Sequence, residues 1–205
     1  MKLATSDGLA LEAEWAAPAR AEAVVVLCHP HPQYGGTMRS IVTSALFDAL
    51  PARGYACLRF NFRGVENSEG EHAEGRHEPL DIVAALDVAS AQAPSLPLVL
   101  QGWSFGADMA LTIADARVAA WVGVAPPLRF RSAADYEIVG RDARPKLLVL
   151  AAHDEFRAPA DVNAEVAGWT NTRVEVVPGA SHFFVGRTAR VVDVVADFVS
   201  EVRAP

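Results

Sequence analysis

Cysteine is nearly missing from this chain of 205 residues, which has only Cys28 and Cys57. Each sits in an apolar, strand-like run, the setting of a buried free thiol, so a disulfide-stapled scaffold is not expected. Basic blocks are missing too. Lys and Arg total 18 against 25 Asp and Glu, they are scattered, and the formal net charge is −7. That balance argues against a nucleic-acid or anionic-membrane surface as partner. No apolar run approaches the roughly 20 residues of a membrane-spanning helix. Asp7 comes too early for the apolar region of a signal peptide, so the cytoplasm is the expected location. Gly35-Gly36-Thr37 lacks the lysine of a phosphate-binding loop, and no G-x-G-x-x-G follows a strand. His29 and His31 have the H-x-H spacing of some metal sites, but proline stands between them and no clustered carboxylate follows. Neither a metal nor any other cofactor is expected.

What is present is an alternation of strand-type and helix-type segments. Thr5-Ser6-Asp7-Gly8 reads as a hairpin turn joining a short first strand to a second over 9–15. The continuous apolar run 23–28 suits a strand buried on both faces. Further strands are expected over 55–61, 96–101, 118–124, 146–152 and 173–177. Helices are expected over 37–52, 80–93, 104–116, 160–169 and 187–202. This order after an opening hairpin predicts one α/β domain over 1–205, with a mostly parallel sheet, helices on both faces and right-handed crossovers. The stretches 63–76 and 126–145 lack clear periodicity and are too short for a cap domain, so an open site is expected.

Between the strand 96–101 and the helix 104–116 stands Gly102-Trp103-Ser104-Phe105-Gly106. A G-x-S-x-G in that context is a nucleophile elbow: the turn has no room for side chains at its flanks, and the serine oxygen is thrust out at the sheet's edge. Serine is a poor nucleophile at neutral pH and needs a base, which in turn needs an orienting carboxylate. Asp154, just past the strand 146–152, and His182, in the turn before the last helix, supply them in the order Ser, Asp, His. Glu155 and Asp161 are the alternative carboxylates. The loop after strand 23–28 should offer one backbone N–H to a developing oxyanion, and the residue after the serine the other. Proline has no N–H, so between Pro30 and Pro32 only His31 can donate. The expected hole is therefore the His31 and Phe105 N–H pair, with Gln33 and Tyr34 as fallbacks. Tyr34, Phe105, Phe130, Phe156 and Phe183 are candidate pocket walls.

With these residues in place, the chain resembles the α/β-hydrolases over essentially its whole length. Three segments are similar to a narrower group, the small lidless bacterial α/β-hydrolases with a His-Pro-His-Pro loop. They run from Cys28 to Met38, from Leu58 to Val65, and through Gly179-Ala180-Ser181-His182-Phe183-Phe184. The resemblance implies Ser104 as nucleophile, Asp154 as acid and His182 as base, and supports 29–34 as the oxyanion loop. Two departures stand out. Glu66 replaces a usual glycine, so another turn is expected there, and Ala151-Ala152-His153-Asp154 lacks the first members of a Gly-Asp-x-Asp pattern. The expected activity is hydrolysis of a small carboxylic ester or thioester through a Ser104 acyl-enzyme, with a small-molecule acyl substrate. An amidase, peptidase or acyltransferase would use the same residues. The contrasting class is a hydrolase-fold binding or scaffold protein without turnover.

Overall fold

The opening hairpin forms where its turn residues stand. In the computed structural model, which describes residues 1–202, β1 (Lys2–Ala4) pairs antiparallel with β2 (Ala10–Ala16). The turn closes through the Gly8 N–H on the Thr5 carbonyl at 3.0 Å, with Gly8 at φ +90°. Five strands are buried at every residue: β3 (Ala23–Cys28), β4 (Tyr55–Phe60), β5 (Leu98–Trp103), β6 (Val118–Val124) and β7 (Lys146–Ala151). Continuous apolar sequence is what burial on both faces requires. β8 (Thr172–Val177) closes the sheet at a more exposed edge. The eight strands are ordered β1-β2-β4-β3-β5-β6-β7-β8, parallel from β4 to β8.

Alternate residues of each strand feed two separate cores. Val24, Val26 and Cys28 pack with α2 (Glu78–Gln92), α3 (Phe105–Ala110), α4 (Ala133–Gly140) and α5 (Pro159–Glu165). Val25 and Leu27 pack on the opposite face with α1 (Ile41–Ala49) and α6 (Thr188–Glu201). This is the α/β-hydrolase architecture, and no cap domain is inserted among the described residues. No helix among them is long and apolar enough to cross a membrane.

Several helix bounds differ from expectation. α1 is shorter than 37–52 because the Ser40 N–H bonds the Thr37 carbonyl in a preceding turn, and because Pro51 opens a separate 3₁₀ turn. α3 stops at Ala110 rather than 116. The Thr112 and Ile113 N–H groups tighten onto carbonyls three residues back, and the Thr112 hydroxyl competes for the Met109 carbonyl at 2.8 Å. α5 ends at Glu165, short of the expected 169. α4 falls inside the stretch read as irregular and is opened by a reciprocal capping box between Ser132 and Asp135. Glu66 keeps the backbone that glycine favours, at φ +48°. Its carboxylate accepts from Asn61 Nδ2 at 2.7 Å and Arg39 at 3.1 Å, contacts that help hold this conformation.

Candidate active site

The loops after β3, β5, β6, β7 and β8 meet at the carboxyl edge of the parallel strands, where ligands bind in sheets of this type. Ser104 follows β5 at φ +55°, ψ −119°, a strained conformation, and α3 begins at the next residue. The flanking glycines are required by close backbone approach. A Cβ on Gly102 would lie 2.1 Å from the Gly106 carbonyl oxygen, and one on Gly106 would lie 2.4 Å from that of Cys28. The Ser104 Oγ stands 2.9 Å from His182 Nε2. On the other side of the ring, His182 Nδ1 stands 2.9 and 3.0 Å from the two Asp154 oxygens. A carboxylate can only accept, so Nδ1 carries the proton and Nε2 is left to accept from the serine hydroxyl.

Neighbouring groups hold this alignment. Asp154 Oδ1 accepts the Phe156 N–H at 2.9 Å and the Arg157 N–H at 3.2 Å. Glu155 does not bond the ring; its carboxylate accepts the His182 backbone N–H at 3.1 Å. The Trp103 indole N–H donates to the His182 carbonyl at 3.2 Å. Asp161 stands in the first turn of α5. Trp103 and Glu155 thus clamp the backbone of His182 from two sides, which residue types and spacing alone did not indicate.

In the loop after β3 the two histidines have different environments. His29 is fully buried, its Nε2 accepting the Phe62 N–H at 3.0 Å and its Nδ1 2.6 Å from the Pro30 carbonyl. Burial pushes its pKa down to about 3, so it is a neutral strut between backbone segments. The His31 ring lies among Tyr34, His72, Phe105 and Phe130, with centroids 4.7 to 5.0 Å away, and burial also lowers its pKa. Two fallback donors are spent inside the turn: the Gln33 N–H bonds His31 Nδ1 at 3.2 Å, and the Tyr34 N–H bonds the His31 carbonyl at 3.1 Å. Neither the His31 nor the Phe105 N–H has an acceptor among the described residues. Gly36 lets the loop fold back on itself, since a Cβ there would lie 2.2 Å from the Pro30 oxygen.

Ser104 and His182 face a cavity of 520 Å³. Tyr34, Phe130, Phe156 and Phe183 line it, as do Trp103 and Arg129. Phe105 does not: its side chain is fully buried beneath, against Phe62, so only its backbone belongs to the site. Among the described residues Arg129 is the only Lys, Arg, Asp or Glu in the lining, and sequence reasoning missed it. Its loop is pinned by Asp108, whose carboxylate accepts the N–H groups of Leu128, Arg129 and Phe130 at 2.8 to 3.1 Å. Complete burial raises the Asp108 pKa to about 6 despite these three donors. An aspartate inside the apolar helix behind the elbow was the available signal, because a buried carboxylate needs donors from elsewhere in the chain.

The sheet order, the strained serine turn and the loops gathered at one edge define an α/β-hydrolase. The chain belongs to that family: the family model described as an alpha/beta hydrolase domain matches residues 21–198. The fold is similar to that of an α/β serine hydrolase homologue from Coxiella burnetii, 32% identical with a TM-score of 0.87, over 97% of this chain and 95% of that one. It is also similar to an α/β serine hydrolase without a lid from Xanthomonas campestris, 27% identical with a TM-score of 0.86, over 100% and 95% of the two chains. An uncharacterised protein of Rickettsia prowazekii is 27% identical over 190 residues, 88% of this chain and 80% of that protein.

Proposed function

We propose that this protein is a serine hydrolase that cleaves small carboxylic esters or thioesters through an acyl-enzyme on Ser104. The observation that carries the reading is the unbroken run of contacts from Ser104 Oγ through both nitrogens of His182 to Asp154, each 2.9 to 3.0 Å, opening on the 520 Å³ cavity. Similarity to proteins described as serine hydrolases supports it. In this mechanism His182 Nε2 takes the serine proton as Oγ attacks the acyl carbon, and Asp154 stabilises the imidazolium that forms. The N–H groups of His31 and Phe105 receive the negative oxygen of the tetrahedral intermediate. As the intermediate collapses, His182 returns the proton to the leaving group, then draws a proton from water so that hydroxide releases the acid and frees Ser104. An apolar, uncapped cavity suits short or exposed acyl groups rather than long buried chains.

A fluorophosphonate probe and a panel of esters varying in acyl length and leaving group test the reading together. The expected result is one label, on Ser104, together with turnover of short-chain esters. Absence of labelling in folded protein, with no ester turned over, would reject it in favour of a binding or scaffold role.

A further inference from the structure

We propose that Arg129 is an anion-binding specificity residue, and that the preferred substrates are esters or thioesters bearing a second group that is a carboxylate. The inference rests on the hydrolase reading above and adds the class of substrate. Ten of the described arginines pair with a carboxylate, including Arg39, Arg59, Arg63 and Arg117. Arg129 does not, and of the described arginines without such a partner it is the one that lines the cavity. Among the described residues its guanidinium forms no ion pair and donates no hydrogen bond. Its recorded contacts are with two rings, Phe130 at 5.1 Å and Phe156 at 5.9 Å from their centroids. Contact with aromatic faces steadies the planar group while leaving its N–H edge open, the edge that matches both oxygens of a carboxylate.

Position and electrostatics agree. Arg129 lines the same cavity as Ser104, and among the described residues no acidic side chain joins it there. The Phe156 ring that it overlies is 4.5 Å from the His182 ring, so the guanidinium is one aromatic ring away from the base. A carboxylate held there would lie within a short acyl chain or a small leaving group of the reacting carbon. The loop also adopts unfavourable backbone at two non-glycine positions, Ala125 at φ +45° and Leu128 at φ +49°. It keeps that shape with Asp108 bonded to the Arg129 N–H itself. From Arg129 the Asp108 carboxylate takes the backbone N–H and not the guanidinium, which is left to the cavity.

The test uses the full chain and matched ester pairs. In one pair the carboxylate is on the acyl side, para-nitrophenyl hemisuccinate against para-nitrophenyl butyrate. In the other it is on the leaving group, acetoxybenzoate against its methyl ester. The readout is the ratio of kcat/KM for the charged ester to that for the neutral one. The wild-type protein is expected to favour the charged member of one pair, and that pair locates the carboxylate. Arg129→Gln is expected to lower the ratio by about 10- to 100-fold, and Arg129→Glu further. Labelling of Ser104 in each variant reports an intact site. A wild-type ratio at or below one in both pairs, or a ratio that Arg129→Gln leaves unchanged, overturns this proposal while the hydrolase reading stands. If wild-type protein hydrolyses no member of either pair and takes no label, both readings fall.

Discussion

Asp154→Asn is expected to cost about four powers of ten in kcat, whereas Glu155→Gln, one residue along, should cost less than about tenfold. The difference follows from which atoms each carboxylate meets. Both Asp154 oxygens stand 2.9 to 3.0 Å from His182 Nδ1, and in the proposed mechanism the ring becomes a cation as the Ser104 proton moves onto it. Two unit charges about 3 Å apart, at an effective dielectric constant of about 20, attract by roughly 5–6 kcal/mol, roughly four powers of ten in rate. Asparagine keeps the shape but loses that charge. Its amide N–H₂ can also turn toward Nδ1, which would drive the ring proton to Nε2 and leave nothing to accept from Ser104. Glu155 accepts only the His182 backbone N–H, at 3.1 Å, and the glutamine carbonyl oxygen can still do so. Initial rates on a para-nitrophenyl ester near neutral pH, with folding checked by circular dichroism, give the comparison. The reasoning is refuted if Asp154→Asn keeps more than about one hundredth of wild-type kcat, or if Glu155→Gln loses as much as Asp154→Asn.

Three further outcomes are expected. Ser104→Ala should lose about 10⁴-fold or more in kcat and all probe labelling while keeping its melting temperature; a folded variant with most of its turnover would contradict the acyl-enzyme. His31→Ala should lower stability, because the ring packs against four others, yet retain much of its activity, because the candidate donor is the backbone N–H. A loss of about 10²–10³-fold in kcat at unchanged melting temperature would move the role to the imidazole. His29, held neutral to about pH 3 when folded and titrating at its usual 6.5 when unfolded, makes the unfolded chain bind more protons between those values. Its contribution to stability is therefore lost as pH falls through that window, by roughly 2 kcal/mol at about pH 5. Urea unfolding near pH 7 and pH 5 should show this increment in wild type but not in His29→Gln, and equal pH dependence in both would dispose of it.

The inner sheet was readable because β3 to β7 are buried on both faces, which leaves uninterrupted apolar runs such as Val24–Leu27. Their spatial order was not, since placing β4 between β2 and β3 depends on pairing between distant segments. Helix ends were misread where a local competitor intervenes, Pro51 after α1 and the Thr112 hydroxyl after α3. α4 buries chiefly Tyr136 and Val139, too little for a periodic signal, although Ser132 and Asp135 at capping-box spacing marked its start. At the site, Ser104, Asp154 and His182 could be nominated because each type stands just past a strand end, and the three side chains meet in space. Arg129 could not, because an aspartate in an apolar helix signals a need for donors but not which loop, here 21 residues along the chain, supplies them. Phe105 was misjudged as a wall because a phenylalanine beside the serine looks the same in sequence whether it turns up into the cavity or down into the core.

The glycine contacts beneath the serine have a consequence for how such a protein can diverge. Gly106 rests directly on the main chain of Cys28 and His29, and Gly36 folds against Pro30, so the spacing between the His31 and Phe105 N–H groups is set by backbone touching backbone. No side chain is interposed whose replacement could alter that spacing by a small step. The ring-bearing positions Tyr34, Phe156 and Phe183 are largely exposed and stand on separate loops around this fixed frame. Substitutions there can reshape the opening one wall at a time without moving the frame. If the proposed function holds, descendants of a common ancestor can therefore trade one acyl compound for another while the bond-breaking apparatus is inherited unchanged.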